Sequence, residues 1–148
     1  MISDTHGLLR PEALRTLADV EAILHAGDVG DSAILEALGK IAPVTAIRGN
    51  IDQAGACAQL PAREWVELGG VVFYLLHDLK ELDLDPGSAG IAMVVSGHTH
   101  QAKVERRKSV LYLNPGSAGP RRFRLPVTVA RVTVEDGRVE AEIVEVEP

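Results

Sequence analysis

Residues 91 to 100 read Ile91-Ala92-Met93-Val94-Val95-Ser96-Gly97-His98-Thr99-His100, an unbroken apolar run that stops at a loop carrying two imidazoles. The run reads as a buried strand, and the polar chemistry sits where it ends. The same arrangement recurs at four other places. Ile2 opens onto Ser3-Asp4-Thr5-His6-Gly7, and Glu21 to Ala26 onto Gly27-Asp28-Val29-Gly30. Val44 to Ile47 opens onto Arg48-Gly49-Asn50-Ile51-Asp52, and Val71 to Leu76 onto His77-Asp78-Leu79. In an α/β sheet the loops at the carboxyl ends of the strands converge on one crevice, so these loops are expected to share a rim.

Working outward, Pro11 to Ala18 carries Leu14, Leu17 and Ala18 at helical spacing with Pro11 suited to a first turn, and Ser32 to Leu38 predicts a second helix. The first third therefore reads βαβαβ. Later the chain turns to hairpins: Glu64 to Leu68 with Val71 to Leu76 through Gly69-Gly70, Lys103 to Arg107 with Val110 to Leu113, and Val127 to Val134 with Arg138 to Val146 around Asp136-Gly137. Parallel strands early and hairpins late imply an α/β fold of two mixed sheets packed face to face, with helices covering the outside of one or both.

No repeat or linker divides the 148 residues, so one domain, 1–148, is expected, with 46% hydrophobic residues to fill its core. The net charge of −6 gives no broad basic face, and 3% aromatic content argues against stacking bases on successive rings, so no duplex nucleic acid is expected as partner. Cys57 is the only cysteine and excludes an internal disulfide. The apolar runs are too short for a membrane span and the N-terminus lacks a signal-peptide pattern, which makes a cytoplasmic setting the expectation.

Two aspartates, an asparagine and four histidines on these loops form a mixed oxygen and imidazole set suited to manganese, iron, zinc or nickel rather than calcium or magnesium. Seven donors exceed the needs of one ion with an open position, whereas two ions can use all of them if one carboxylate bridges, and Asp28 is the candidate bridge. Asp4 and His6, like His98 and His100, are two residues apart, which in extended backbone turns each pair to one side. A single histidine after a strand is more often structural than a ligand; the constellation, with Gly97 letting the backbone approach closely, carries the inference.

The order SDTHG, HAGDVG, RGNID, a histidine after Val71 to Leu76, SGHTH and NPGSAGPR resembles the calcineurin-like metallophosphoesterases, and within them the small bacterial and archaeal phosphodiesterases. The resemblance implies a four-layer α/β/β/α sandwich and two divalent ions, Mn first with Fe, Ni or Zn as alternatives. One ion would be held by Asp4, His6, Asp28 and His100, the other by Asp28, Asn50, His77 and His98. Asp28, Asn50 and His77 would also act in catalysis, and a water or hydroxide shared by the ions would attack phosphorus in line on a small phosphoester, most readily a phosphodiester. Asn50 and Arg121 are the candidate substrate contacts, against a surface ion pair for Arg121. Asp52 either orients a ligand or caps a loop. Asn114 to Ser117 reads as a turn bracing the rim, and His25 as structural.

The sequence departs from the family pattern at Leu79 and Ile51, where relatives carry histidines that can contact substrate or protonate a leaving group. Only Met1 to Ser3 precede Asp4 where relatives have more apolar residues, which reads as a late start. The rival reading is a non-catalytic metal-binding scaffold of the same fold, as in the retromer subunit. The natural substrate and any homo-oligomer are left open by the sequence.

Overall fold

The computed structural model of the chain describes residues 1–146. Two α-helices, α1 (Pro11–Thr16) and α2 (Ser32–Gly39), accompany nine strands. These are β1 (Ile23–His25), β2 (Val44–Ala46), β3 (Arg63–Leu68), β4 (Val71–Leu76), β5 (Ile91–Val95), β6 (Lys103–Arg107), β7 (Val110–Asn114), β8 (Thr128–Glu135) and β9 (Arg138–Glu145). Pro11 opens α1, where its fixed φ suits the first turn and its missing N–H leaves nothing unpaired. Asp31 caps α2 by accepting the Ala33 N–H at 3.0 Å.

One sheet has the order β3-β4-β5-β7-β6, with β4, β5 and β7 parallel and β3 and β6 antiparallel at its edges. The other is assembled around the first residues of the chain. Ile2 exchanges hydrogen bonds of 3.0 Å with Leu24 and Ala26, Met1 does so with Ala130, and parallel β1-β2 and antiparallel β8-β9 thereby meet on either side of Met1–Ser3. Ile2 makes only an isolated bridge, shorter than the opening strand that the sequence suggests.

Alternation along each strand sorts the apolar side chains into separate cores. Phe73, Leu75, Met93, Val95, Leu111 and Leu113 face Leu24, Ala26 and Ala130 between the sheets. Ile2, Ile23 and Val129 face the other way, onto Ala13 and Leu17 of the first helical segment and Ile34 and Leu38 of α2. Each fully buried Leu or Phe contributes roughly 1.5–3 kcal/mol, so a one-residue register slip in either sheet would expose several such side chains at once.

The fourth layer departs from the expected helix. The outer face of the larger sheet, with Tyr74, Leu76 and Val94, is covered by Leu79, Leu82 and Leu84 from a 3-10 turn (Leu79–Glu81) and the loop after it. That segment contains Pro86, Gly87 and Gly90, which break a helix before it can build an apolar face. The two mixed sheets and their flanking layers match the expected four-layer sandwich, its outermost layer here formed by a 3-10 turn and the loop after it.

Candidate metal centre

The loops after Met1–Ser3, β1, β2, β4 and β5 meet at one end of the sandwich. Asp4, Asp28, His77 and His100 are buried there, His6 is half-buried, and Asn50 and His98 are exposed at the mouth. Three imidazole Nε2 atoms crowd around one oxygen: those of His6, His77 and His100 lie 3.8, 3.8 and 3.4 Å from Asp4 Oδ1. Asp28 Oδ2 stands between His6 and His77, 3.4 and 3.3 Å from their Nε2 atoms. At the mouth, His98 Nδ1 is 3.2 Å from Asn50 Oδ1, and the His98 ring stands 5.2 Å from that of His77.

The backbone reaches this arrangement through an unfavourable conformation. Asp4, His6, Asp28, His98 and His100 all have positive φ, between 46° and 72°. A non-glycine residue there costs on the order of 1–3 kcal/mol and persists only where its surroundings enforce it. The two alternating pairs therefore aim their side chains together from left-handed backbone, and the extended geometry inferred from their spacing is corrected on this point. Two glycines provide room: a Cβ on Gly49 would overlap the Asp28 carboxylate, and one on Gly97 would overlap Ser3 Oγ and Asp4 Oδ2.

Hydrogen bonds settle which atoms are free. The Ala26 carbonyl can only accept, so His77 donates to it from Nδ1 at 2.8 Å, leaving Nε2 to face Asp28 and Asp4. Asp4 is held through its other oxygen, which accepts from Ser3 Oγ at 2.6 Å and the His98 N–H at 3.1 Å. Asp28 Oδ1 accepts the Ile51 N–H at 3.1 Å. Asp4 Oδ1, His6 Nε2, His77 Nε2 and His100 Nδ1 are buried without any hydrogen-bond partner.

An orphaned buried polar atom costs about 1–3 kcal/mol, and lone pairs turned toward carboxylates add repulsion. A cation removes both penalties. Ligand atoms 2.0–2.2 Å from one ion stand about 3.0–3.6 Å from each other, close to the separations here. Asp4, His6 and His100 offer ligand atoms within 4.8 Å of one another, as do Asp4, Asp28 and His77. The residues present fit divalent metal.

Electrostatics follow the same geometry. Burial pushes the Asp28 carboxyl up, but the close His77 ring, the Ile51 N–H bond and the His6 ring outweigh it, holding Asp28 below the ordinary carboxylate value. Burial pulls His77 down, and the Asp28 carboxylate 3.3 Å away, the Ala26 carbonyl and the charge of Asp4 outweigh that and hold it above the usual imidazole value. His100 is lowered by burial, with the Arg122 and His6 charges adding to the effect against the pull of Asp4 and Asp28.

A model of the calcineurin-like phosphoesterase superfamily domain matches residues 1–137. The chain belongs to that superfamily. It is 33% identical over 161 residues to a probable metallophosphoesterase of Methanocaldococcus jannaschii, covering 99% of this chain and 80% of the relative. A solved structure described as a novel archaeal phosphodiesterase superposes with a TM-score of 0.78 at 24% identity, covering 97% of each chain. Vps29 from Entamoeba histolytica in complex with Zn2+ superposes at 0.75 and 20% identity, covering 99% of this chain and 97% of that one. The last two establish likeness of fold.

Within this calcineurin-like fold the remaining candidates take distinct positions. Asp52 accepts the Val29, Gly30 and Gly49 N–H groups at 3.0, 2.9 and 2.9 Å, locking the Asp28 loop to the Asn50 loop. Asn114 donates to the Gly97 carbonyl at 2.9 Å and Ser117 to the Asp4 carbonyl at 2.9 Å, so the turn braces two metal-site loops. Buried His25 accepts the Gly27 N–H at Nδ1, donates from Nε2 to Thr5 Oγ1 and is neutral, its pKa pulled down to about 3 chiefly by burial. Arg121 is exposed and enters no ion pair among the described residues. Sequence reasoning passed over Ser3 and Gly49. Ser3 immediately precedes Asp4, but nothing local shows that its hydroxyl turns back onto that carboxylate.

Proposed function

We propose that this phosphoesterase is a binuclear metal-dependent phosphodiesterase. The observation that carries this reading is His77: Nδ1 is committed to the Ala26 carbonyl, and Nε2 is left unpartnered against two carboxylates. One ion is assigned to Asp4, His6, Asp28 and His100, and the other to Asp28, Asn50, His77 and His98. The position of Asp28 Oδ2, touching one imidazole from each set, supports its role as the bridge. Bound divalent ions supply positive charge that neutralises a phosphoryl group and lowers the pKa of water.

The chain's own residues do the rest. Ser3 and the His98 N–H hold Asp4 through one oxygen and leave the other free for metal. Asn50 offers a neutral oxygen at the open mouth, and its amide N–H can reach a phosphoryl oxygen. Manganese is the ion proposed first, with iron, nickel and zinc as alternatives that the mixed oxygen and imidazole set also suits.

The test is metal content by mass spectrometry together with hydrolysis of bis-p-nitrophenyl phosphate by Mn2+-loaded protein. Two ions per chain and metal-dependent turnover are expected. Asp28→Ala should lose both ions and His100→Ala one. If Asp4→Ala loses both while Asp28→Ala loses one, the bridge is Asp4. Two bound ions with no turnover on a panel of phosphoesters would favour the scaffold reading, to which the likeness to Vps29 lends weight.

A further inference from the structure

Phe123 is 90% exposed, far more than Trp65 at 50%, the next most exposed large apolar residue. Trp65 packs edge-on against Tyr74 with ring centres 5.0 Å apart, whereas Phe123 stands out from its loop at φ 54°, a left-handed conformation that costs free energy. Around it are Arg121, Arg122 and Arg124, all exposed. Arg15, Arg63, Arg107 and Arg131 pair with carboxylates; these three pair with none among the described residues. On a chain of net charge −6 this is a local concentration of unspent positive charge around one bare ring.

Its position is tied to the metal centre. The loop departs at Gly119, packed so tightly on the Thr5 and Asp4 carbonyls that a Cβ there would overlap them, and Arg10 holds the Gly119 carbonyl from the other side at 3.3–3.4 Å. A turn closed by Leu125 N–H to the Arg122 carbonyl, 3.1 Å, then presents the ring. Phe123, Arg124 and Leu125 line one open cleft with Gln101, the residue after His100.

We infer that Arg121 to Arg124 form a recognition arm for a nucleotidyl phosphodiester, with Phe123 stacking on the base next to the scissile phosphate and the arginines meeting its phosphate charge. An aromatic face takes any base, and guanidinium groups pair with phosphate in a bidentate manner. A single ring of this kind reads one base, consistent with the small aromatic content, and three arginines are too few to hold a duplex. As a statement about substrate, the inference rests on the phosphodiesterase reading; as a statement about binding it does not.

The test separates the two. Trp65→Phe combined with Phe123→Trp moves the only tryptophan onto the arm. Its fluorescence is followed in one Mn2+ buffer while thymidine 5′-monophosphate or methyl phosphate is added. Saturable quenching by the nucleotide alone is expected, weakened by Arg122→Ala; no quenching, or equal quenching by both, overturns the inference. In parallel, kcat/KM for the p-nitrophenyl ester of thymidine 5′-monophosphate is compared with that for methyl p-nitrophenyl phosphate. Phe123→Ala should lower that ratio about tenfold, through KM. An unchanged ratio would refute the substrate role. Quenching without turnover on either ester would leave the nucleotide site standing and bring down the phosphodiesterase reading instead.

Discussion

Binding of divalent cations should raise the melting temperature, and Asp4→Asn should diminish that rise while making the metal-free protein more stable. Four buried atoms lack partners, and Asp4 Oδ1 lies at their centre with three imidazole nitrogens within 3.8 Å. At free Mn2+ about 100 times its Kd, one ion contributes about 2.7 kcal/mol of stability. For a chain of this size each kcal/mol moves Tm by about 2–4 °C, so each ion should add about 5–11 °C. The variant keeps an oxygen for Ser3 and the His98 N–H and turns an amide N–H toward the stranded imidazoles. One satisfied group is worth about 1 kcal/mol, or about 2–4 °C gained in EDTA. Differential scanning calorimetry of both proteins, in EDTA and in Mn2+, reads all four values. A wild-type shift below about 1 °C at such occupancy would refute the reasoning, as would an undiminished metal shift in the variant.

Gly49→Ala and Gly97→Ala should each reduce metal stoichiometry below that of the wild type, because the added methyl displaces the Asp28 or Asp4 carboxylate; retention of full metal content by either would contradict the packing. His25 has its folded pKa lowered to about 3 from 6.5, so its contribution to stability is complete above pH 6.5 and is lost as pH falls toward 3. Between pH 7.5 and pH 5 that amounts to about 2 kcal/mol, and NMR should find its ring neutral at pH 5 in the folded protein. With Leu79 and Ile51 where an acid could stand, aryl phosphodiesters should turn over about 10²–10⁴ times faster than alkyl ones of equal size. Equal rates would show that another residue protonates the leaving group.

From the sequence alone, strand positions could be read nearly to the residue, since a strand that buries one or both faces must carry its apolar residues in sequence and end at a turn. Val71–Leu76 and Ile91–Val95 are cases in point. The seven metal-site candidates were legible for the same reason: each follows such a strand, and loops after strands gather at one end. Other features depend on contacts between residues far apart in the chain and could not be read locally. The left-handed backbone at Asp4 and His98 is enforced by neighbouring loops. The free nitrogen of His77 is chosen by a carbonyl 51 residues away. The outer layer over Tyr74 is a 3-10 turn and a loop, because Pro86 and Gly87 interrupt a helix there, and that Phe123 rather than Trp65 is left almost wholly bare depends on what packs beside each ring. Local pattern decides what a residue can do; burial and approach in three dimensions decide which of its atoms remain free to do it.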